Sequence, residues 1–188
     1  MKRYVLLAGV NGAGKSTLFS LISSLSEIEK INLDETVREI GDWRDNKAVV
    51  QAGKIVITRI NKYFDEGVSF SQETTLCGKS ILRNIQRAKA LGYSVEMHYV
   101  GLDSPDTAKE RVKNRVKQGG HGISDEDIER RYVETLEILK VVLPQCDLAA
   151  IYDNTEGFRR FAIYKNGKCM RKSSRIPKWY QDVEEFIS

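Results

Sequence analysis

The sequence predicts an α/β fold, a mainly parallel sheet covered by helices on both faces. Three observations predict it. Short apolar runs of strand length alternate with stretches of helical periodicity from Arg3 to about Asp153, the pattern of parallel strands joined by crossover helices. A glycine-rich bend between Gly9 and Gly14 separates the first strand from the first helix, where backbone N–H groups can be turned toward a ligand. Further on, Asn166-Gly167 lies between two β-rich runs, a strong short-range hairpin signal.

Each element follows in turn. "RYVLLAG" is a continuous apolar run with β-branched and aromatic members, suited to a strand buried on both faces. Leu18, Leu21, Ile22 and Leu25 then recur at helical spacing. "EKINLDE" predicts a short second strand ending at Asp34, and Val49, Ala52, Val56, Ile60, Tyr63 and Phe64 trace a helical stripe stopped by Gly67. "VSFSQET" is the third strand; the next helix carries Ile81, Leu82, Ile85, Ala88 and Leu91 and closes at Gly92. "SVEMHYVGLD" is the fourth strand. Ser104-Pro105 opens a helix that buries Ala108, Val112 and Val116, and "KQGGHGIS" is a loop. Ser124 with Asp127 three residues on predicts a capped helix start, and that helix runs to about Leu143. "LAAIYDN" is the fifth strand, followed by the hairpin and a final amphipathic helix, "PKWYQDVEEFI". The expectation is a five-stranded parallel sheet with an appended C-terminal hairpin and helix. It forms one domain over residues 1–188, with a lid over about 104–132 and a variable tail over about 156–188.

With 188 residues, 41% apolar and 30% charged side chains of both signs, the chain has the composition of an ordinary globular domain. The net charge of +4 suits an anionic ligand but does not argue for nucleic acid by itself. Cys77, Cys146 and Cys169 are odd in number and widely spaced, which fits a reducing cytoplasm rather than a disulfide framework. The two histidines are too far apart to suggest a metal site. No apolar run approaches the length of a membrane span.

Gly9-Val10-Asn11-Gly12-Ala13-Gly14-Lys15-Ser16 satisfies G-x-x-x-x-G-K-[ST]. Glycines at these positions let consecutive N–H groups surround phosphate oxygens beside the positive end of a helix. This is the P-loop of nucleoside triphosphate-binding proteins, with Lys15 reaching the β- and γ-phosphates and Ser16 ligating Mg²⁺. Asn11, Gly12, Ala13, Gly14, Lys15, Ser16 and Thr17 are the expected phosphate neighbours. The sequence contains neither an L-S-G-G-Q signature nor N-K-x-D, which argues against an ABC dimer and favours ATP over GTP.

The acceptor side is read from the strand ends, where ligands sit in such sheets. Asp34 is placed to accept the proton of an attacking hydroxyl, or else to cap the helix that follows it. Glu73 at the end of strand three is a candidate for Mg²⁺ or substrate, with Thr74 beside it, while Asp103 is a rival acid after strand four. Arg111 and Arg115 stand four apart on one helix face, where a guanidinium can stabilise charge on a transferring phosphoryl group. Arg130 or Arg131 supplies a second cation from the other arm of the lid. His121 reads as a mobile surface residue. Asp153-Asn154 either neighbours adenine, Asn154 being the ligand, or forms only a turn. The C-terminal aromatics Phe158, Phe161, Tyr164, Trp179 and Tyr180 read as packing residues, because no basic residues interleave them regularly. Nucleic acid is therefore not favoured as a partner.

Taken together, "GVNGAGKSTL", "INLDE", the run from "FSQETTLCGKS" through "KERVKNRVKQGGHGISDEDIERRY", and "YDNT" resemble the zeta-toxin-like P-loop kinases over roughly residues 1–155. The resemblance implies a kinase-like P-loop NTPase fold. It also implies ATP and Mg²⁺ as cofactors, a hydroxyl of UDP-N-acetylglucosamine as phosphoryl acceptor, and an antitoxin as a possible protein partner. On this likeness Asp34 is the base, Lys15 and Ser16 serve ATP and Mg²⁺, and Glu73 and Thr74 contact substrate. Arg111 and Arg115 bind phosphate. Arg131 is assigned to the substrate side from its place in the lid. Two rival functions share these features: a polynucleotide 5′-hydroxyl kinase, and a non-catalytic ATP-dependent switch that binds a protein partner.

Overall fold

The computed structural model describes residues 1–187. Its strands are β1 (Arg3–Ala8), β2 (Glu29–Ile31), β3 (Phe70–Thr74), β4 (Ser94–Gly101), β5 (Leu148–Asp153), β6 (Arg159–Lys165) and β7 (Lys168–Lys172). All seven lie in one sheet, ordered β2-β3-β1-β4-β5-β6-β7. The first five run parallel, and β6 and β7 are antiparallel. The helices are α1 (Lys15–Leu21), α2 (Leu33–Ile40), α3 (Asn46–Glu66), α4 (Ser80–Ala90), α5 (Pro105–Lys117), α6 (Asp125–Val142) and α7 (Gln181–Ile187).

The alternation of β1 explains the two layers. Tyr4, Leu6 and Ala8 face one core, which takes Ile60 and Phe64 of α3, Ile81 and Ile85 of α4, and Leu139 and Val142 of α6. Val5 and Leu7 face the other side, beside Leu25, where Leu18 of α1 and Ala108 and Val112 of α5 build a second layer. From β1 the chain crosses to β2 at the edge, comes back to β3 beside β1, and then passes to β4 on the other side of β1. Strand order therefore reverses around β1, and the crevice beyond its carboxyl end is the expected ligand position. The glycine-rich bend leaves β1 at that point.

Three details correct the sequence reading. The sheet has seven strands rather than five, because the hairpin pairs with β5, register Ile151↔Ala162, instead of standing apart. Pairing covers an edge of β5 that would otherwise expose unmet N–H and C=O groups. Asn166 and Gly167 do turn the hairpin, both with positive φ (50° and 73°). β2 stops at Ile31, three residues before Asp34, because the side chain of Asn32 accepts the N–H groups of Asp34 and Glu35 and caps α2. Finally, α1 ends at Leu21, which is exposed, and Leu25 reaches the core from a short 3₁₀ turn at Ser23–Leu25.

The C-terminal segment packs on the main core. The Trp179 ring lies over Gly101, where an added Cβ would meet it at 2.1 Å. It contacts the rings of Tyr99 and Phe161, and its Nε1–H donates to Asp153 at 3.1 Å. Trp179→Ala is expected to cost about 3–5 kcal/mol, the range for removing a buried large aromatic side chain. The urea midpoint measures it, and a loss below about 1 kcal/mol would show that the segment is not integral to the core.

His98 on β4 lies beneath the Tyr152 hydroxyl, Nδ1 3.3 Å away. Burial pushes its imidazole down to about 4 from an ordinary 6.5, with Glu96 opposing. The unfolded chain therefore takes up this proton first as pH falls. The associated stability is full above about pH 6.5 and is lost toward pH 4, at most about 3 kcal/mol. Denaturant midpoints between pH 4 and 7 should fall less steeply in His98→Gln than in the wild type. Identical acid limbs would remove His98 from the explanation.

Candidate active site

The site is assembled around α1. Gly14, with φ 95°, caps this helix in the left-handed region. A Cβ there would lie 2.7 Å from the Asn154 amide and 3.0 Å from the Phe158 ring, so conformation and space both call for glycine. Ala13 is fully buried, and its carbonyl accepts a hydrogen bond from Asn154 Nδ2 at 2.9 Å. Gly12 packs against the Ala108 carbonyl of α5. Asn11 is buried, its Oδ1 accepting from Arg131 Nη1 at 3.2 Å. Thr17 is exposed on the first turn of α1.

Lys15 is 7% exposed, and its Nζ donates to the Val10 carbonyl at 3.1 Å. Glu73 stands 3.9 Å from it. Burial pushes the ammonium below its ordinary value, while Glu73 and then Asp34 pull it back. Glu73 Oε2 also accepts the Ser16 hydroxyl and the Asn32 amide, each at 2.8 Å. One carboxylate thus ties together the ends of β2 and β3 and the start of α1.

Opposite them lies Asp34, on the first turn of α2. Arg115 Nη1 is 3.5 Å from its Oδ2, and His121 Nε2 is 3.6 Å from its Oδ1. Arg115 Nε and Nη2 and His121 Nδ1 are buried without a hydrogen-bond partner among the described residues. Polar atoms buried in this way cost stability unless a hydrogen-bond partner meets them. The Trp43 ring stacks at 5.7 Å from His121 and fills the space beside Gly122, so the loop after α5 meets the connection between α2 and α3. Burial lowers the His121 imidazole below its ordinary value, Asp34 opposing. His121 is therefore not the free surface residue expected from the sequence.

A cavity of about 200 Å³ joins these groups, lined among others by Asn11, Lys15, Asp34, Glu73, Arg115 and Arg131. Thr74 lines it too, with its Oγ1 accepting the Leu76 N–H at 3.0 Å. Four expected neighbours lie elsewhere. Arg111 Nη2 donates to the carbonyls of Asn154 and Thr155 at 2.7 and 2.9 Å, so its guanidinium braces the loop after β5. Asn154 holds the Ala13 carbonyl and lies behind the P-loop. Arg130 is engaged by Asp127 and Glu134 on the surface of α6. Asp103 accepts from the Thr107 hydroxyl at 2.7 Å, at the start of α5. Of the two rival acids, Glu73 is the one beside Ser16.

Sequence reasoning missed Asn32 and Trp43. The first had a readable signal, an Asn just before a helical run, which is a helix-cap pattern. The second had none, because a lone tryptophan between two helices says nothing about what it touches.

Among solved structures, the AvrRxo1-ORF1:-ORF2 complex with ATP matches all of this chain at a TM-score of 0.72 and 13% identity, and this chain spans 64% of that one. The PezAT toxin–antitoxin system of Streptococcus pneumoniae matches all of it at 0.65 and 18%, over 83% of that chain. The Pnkp1/Rnl/Hen1 RNA repair complex matches 74% of it at 0.59 and 16%, over 46% of that chain. At these identities the likeness establishes the fold, that of P-loop kinases. An uncharacterized protein of Haemophilus influenzae is 32% identical over 128 residues, covering 68% of this chain and 91% of its own length. The model of the Zeta toxin family matches residues 1–168, from the P-loop through the hairpin turn, and the chain belongs to that family.

Proposed function

We propose that this protein is a phosphotransferase that moves the γ-phosphoryl group of ATP to a hydroxyl, with UDP-N-acetylglucosamine as the acceptor. The observation that carries this reading is the convergence of Lys15, Asp34 and Arg115 on one cavity from three different elements. Family membership supports a nucleotide-dependent kinase, and the choice of acceptor rests on the family alone. An antitoxin as protein partner has the same basis.

The residues fit both cofactors. The Ser16 hydroxyl and the Glu73 carboxylate are the hard oxygen donors that Mg²⁺ prefers beside a substrate phosphate. When bound, the metal would neutralise charge on the phosphate oxygens. The P-loop N–H groups and Lys15 would hold the phosphates. The unpartnered N–H groups of Arg115 would meet the charge that develops on the phosphoryl oxygens. Asp34, held by its capped helix and facing Arg115 and His121, would accept the proton of the attacking hydroxyl.

The test is to incubate the protein with ATP, Mg²⁺ and UDP-N-acetylglucosamine and analyse the products by mass spectrometry. A singly phosphorylated sugar nucleotide is expected. ADP formed without it would keep the kinase reading and discard the acceptor. Nucleotide binding with no turnover toward any hydroxyl would favour the non-catalytic switch.

A further inference from the structure

The positive charge of this chain is concentrated in one place. Residues 159–178 hold eight lysines and arginines and no acid, while the other 168 residues hold 22 cations against 26 acids. The overall +4 is thus a basic β6–β7 end set against an acidic remainder. Two of the eight cations are ion-paired, Lys172 with Glu184 and Arg159 with Asp153 at 3.6 Å. Among the described residues, Arg160, Lys165, Lys168, Arg171, Arg175 and Lys178 form no ion pair, although Arg175 and Lys178 border a separate pocket with Asp103, Asp153 and Glu156.

Two of them, Arg160 and Arg171, also border a cavity of about 730 Å³ on the hairpin. Arg160, Arg171 and Lys172 border it with the hydroxyls of Ser173 and Ser174 and the half-buried ring of Phe158. Among the described residues, no carboxylate lines it. β7 is exposed along its whole length. Lysines on an edge strand deter unwanted strand pairing, but one or two suffice for that, and it needs no concave basic site. Basic residues alone are drawn to anionic lipid, but stable anchoring on a lipid surface takes a second signal, such as apolar side chains that insert. Among the described residues, Met170 is the one large apolar side chain strongly exposed in this segment.

We propose that the β6–β7 edge and its cavity bind the phosphodiester backbone of a single-stranded nucleic acid. A basic groove that tracks phosphates beside an aromatic ring is the usual construction for such a ligand, and the guanidinium forks of Arg160 and Arg171 match phosphate oxygens. This surface is separate from the cavity at Asp34 and does not depend on the kinase reading.

The test is fluorescence anisotropy of a labelled oligouridylate of about 12 nucleotides, titrated with the full chain at several salt concentrations. Binding is expected to weaken with salt, with a log–log slope of about −2 to −3 if three or four phosphates are neutralised. Arg160→Glu combined with Arg171→Glu should weaken it at least about tenfold and flatten the slope by about 1.4. Lys165→Glu with Lys168→Glu should act in the same direction, which guards against a folding defect in the first pair. Lys54→Glu with Lys62→Glu on α3 changes the net charge equally and should leave binding within about threefold. Three outcomes would overturn the proposal. These are no binding at about 50 mM salt, equal loss in all three double variants, or equally tight, equally variant-sensitive binding of polyglutamate or phosphatidylserine vesicles.

Discussion

Lys15→Ala is expected to lower phosphoryl transfer by about 10³-fold or more while leaving the protein folded. The rate loss follows from removing the one side-chain cation seated within the P-loop, where charge on the transferring group must be met by preorganised donors. The fold survives because the substitution removes a charge whose burial already disfavours it. Glu73 keeps its hydrogen bonds from Ser16 and Asn32. The checks are ATP turnover, ATP affinity by calorimetry and the far-UV circular dichroism spectrum. Wild-type turnover in a folded Lys15→Ala protein would mean that the P-loop is not the donor site.

Asp34→Asn is expected to lower kcat by about 10²–10⁴, the range for losing a positioned general base, with ATP affinity nearly unchanged. The substitution conserves shape and leaves the Asn32 cap on α2 in place, since that cap uses the backbone N–H of residue 34. It removes the negative charge between Arg115 and His121, and with it the carboxylate that would receive the acceptor's proton in the proposed reaction. Single-turnover kinetics separate this effect from binding. The two variants together divide the candidate functions: a switch that never transfers phosphate would lose partner binding with Lys15→Ala and keep it with Asp34→Asn. Full turnover in Asp34→Asn would assign the base elsewhere.

Where the sequence was legible, the signals were local. The P-loop is eight consecutive residues whose backbone turns are built by their own glycines, so its place between β1 and α1 could be read directly. The hairpin at Asn166-Gly167 and the caps at Ser104 and Ser124 are also set by neighbours in the chain. The end of β2 was misread because Ile31 and Leu33 are both apolar, and the apolar pattern continues across the cap at Asn32.

The sequence by itself determined the glycine-rich bend between β1 and α1, the parallel part of the sheet and the family, because each is carried by contiguous motifs or by the period of apolar residues. Tertiary structure alone decided which of several equivalent side chains reach the cavity. Arg111 and Arg115 share a helix face but sit about one turn, or 6 Å, apart along the axis. That step puts one against the loop after β5 and the other against Asp34. Arg130 and Arg131 are adjacent, yet successive helical residues point in different directions, and only Arg131 meets Asn11. Glu73 prevails over Asp103 as the partner of Ser16 because β3 is hydrogen-bonded beside β1 and its carboxyl end faces the start of α1. The charge on the β6–β7 edge was hidden for a related reason. A net charge sums over the chain, while a ligand meets only the side chains that folding gathers on one surface.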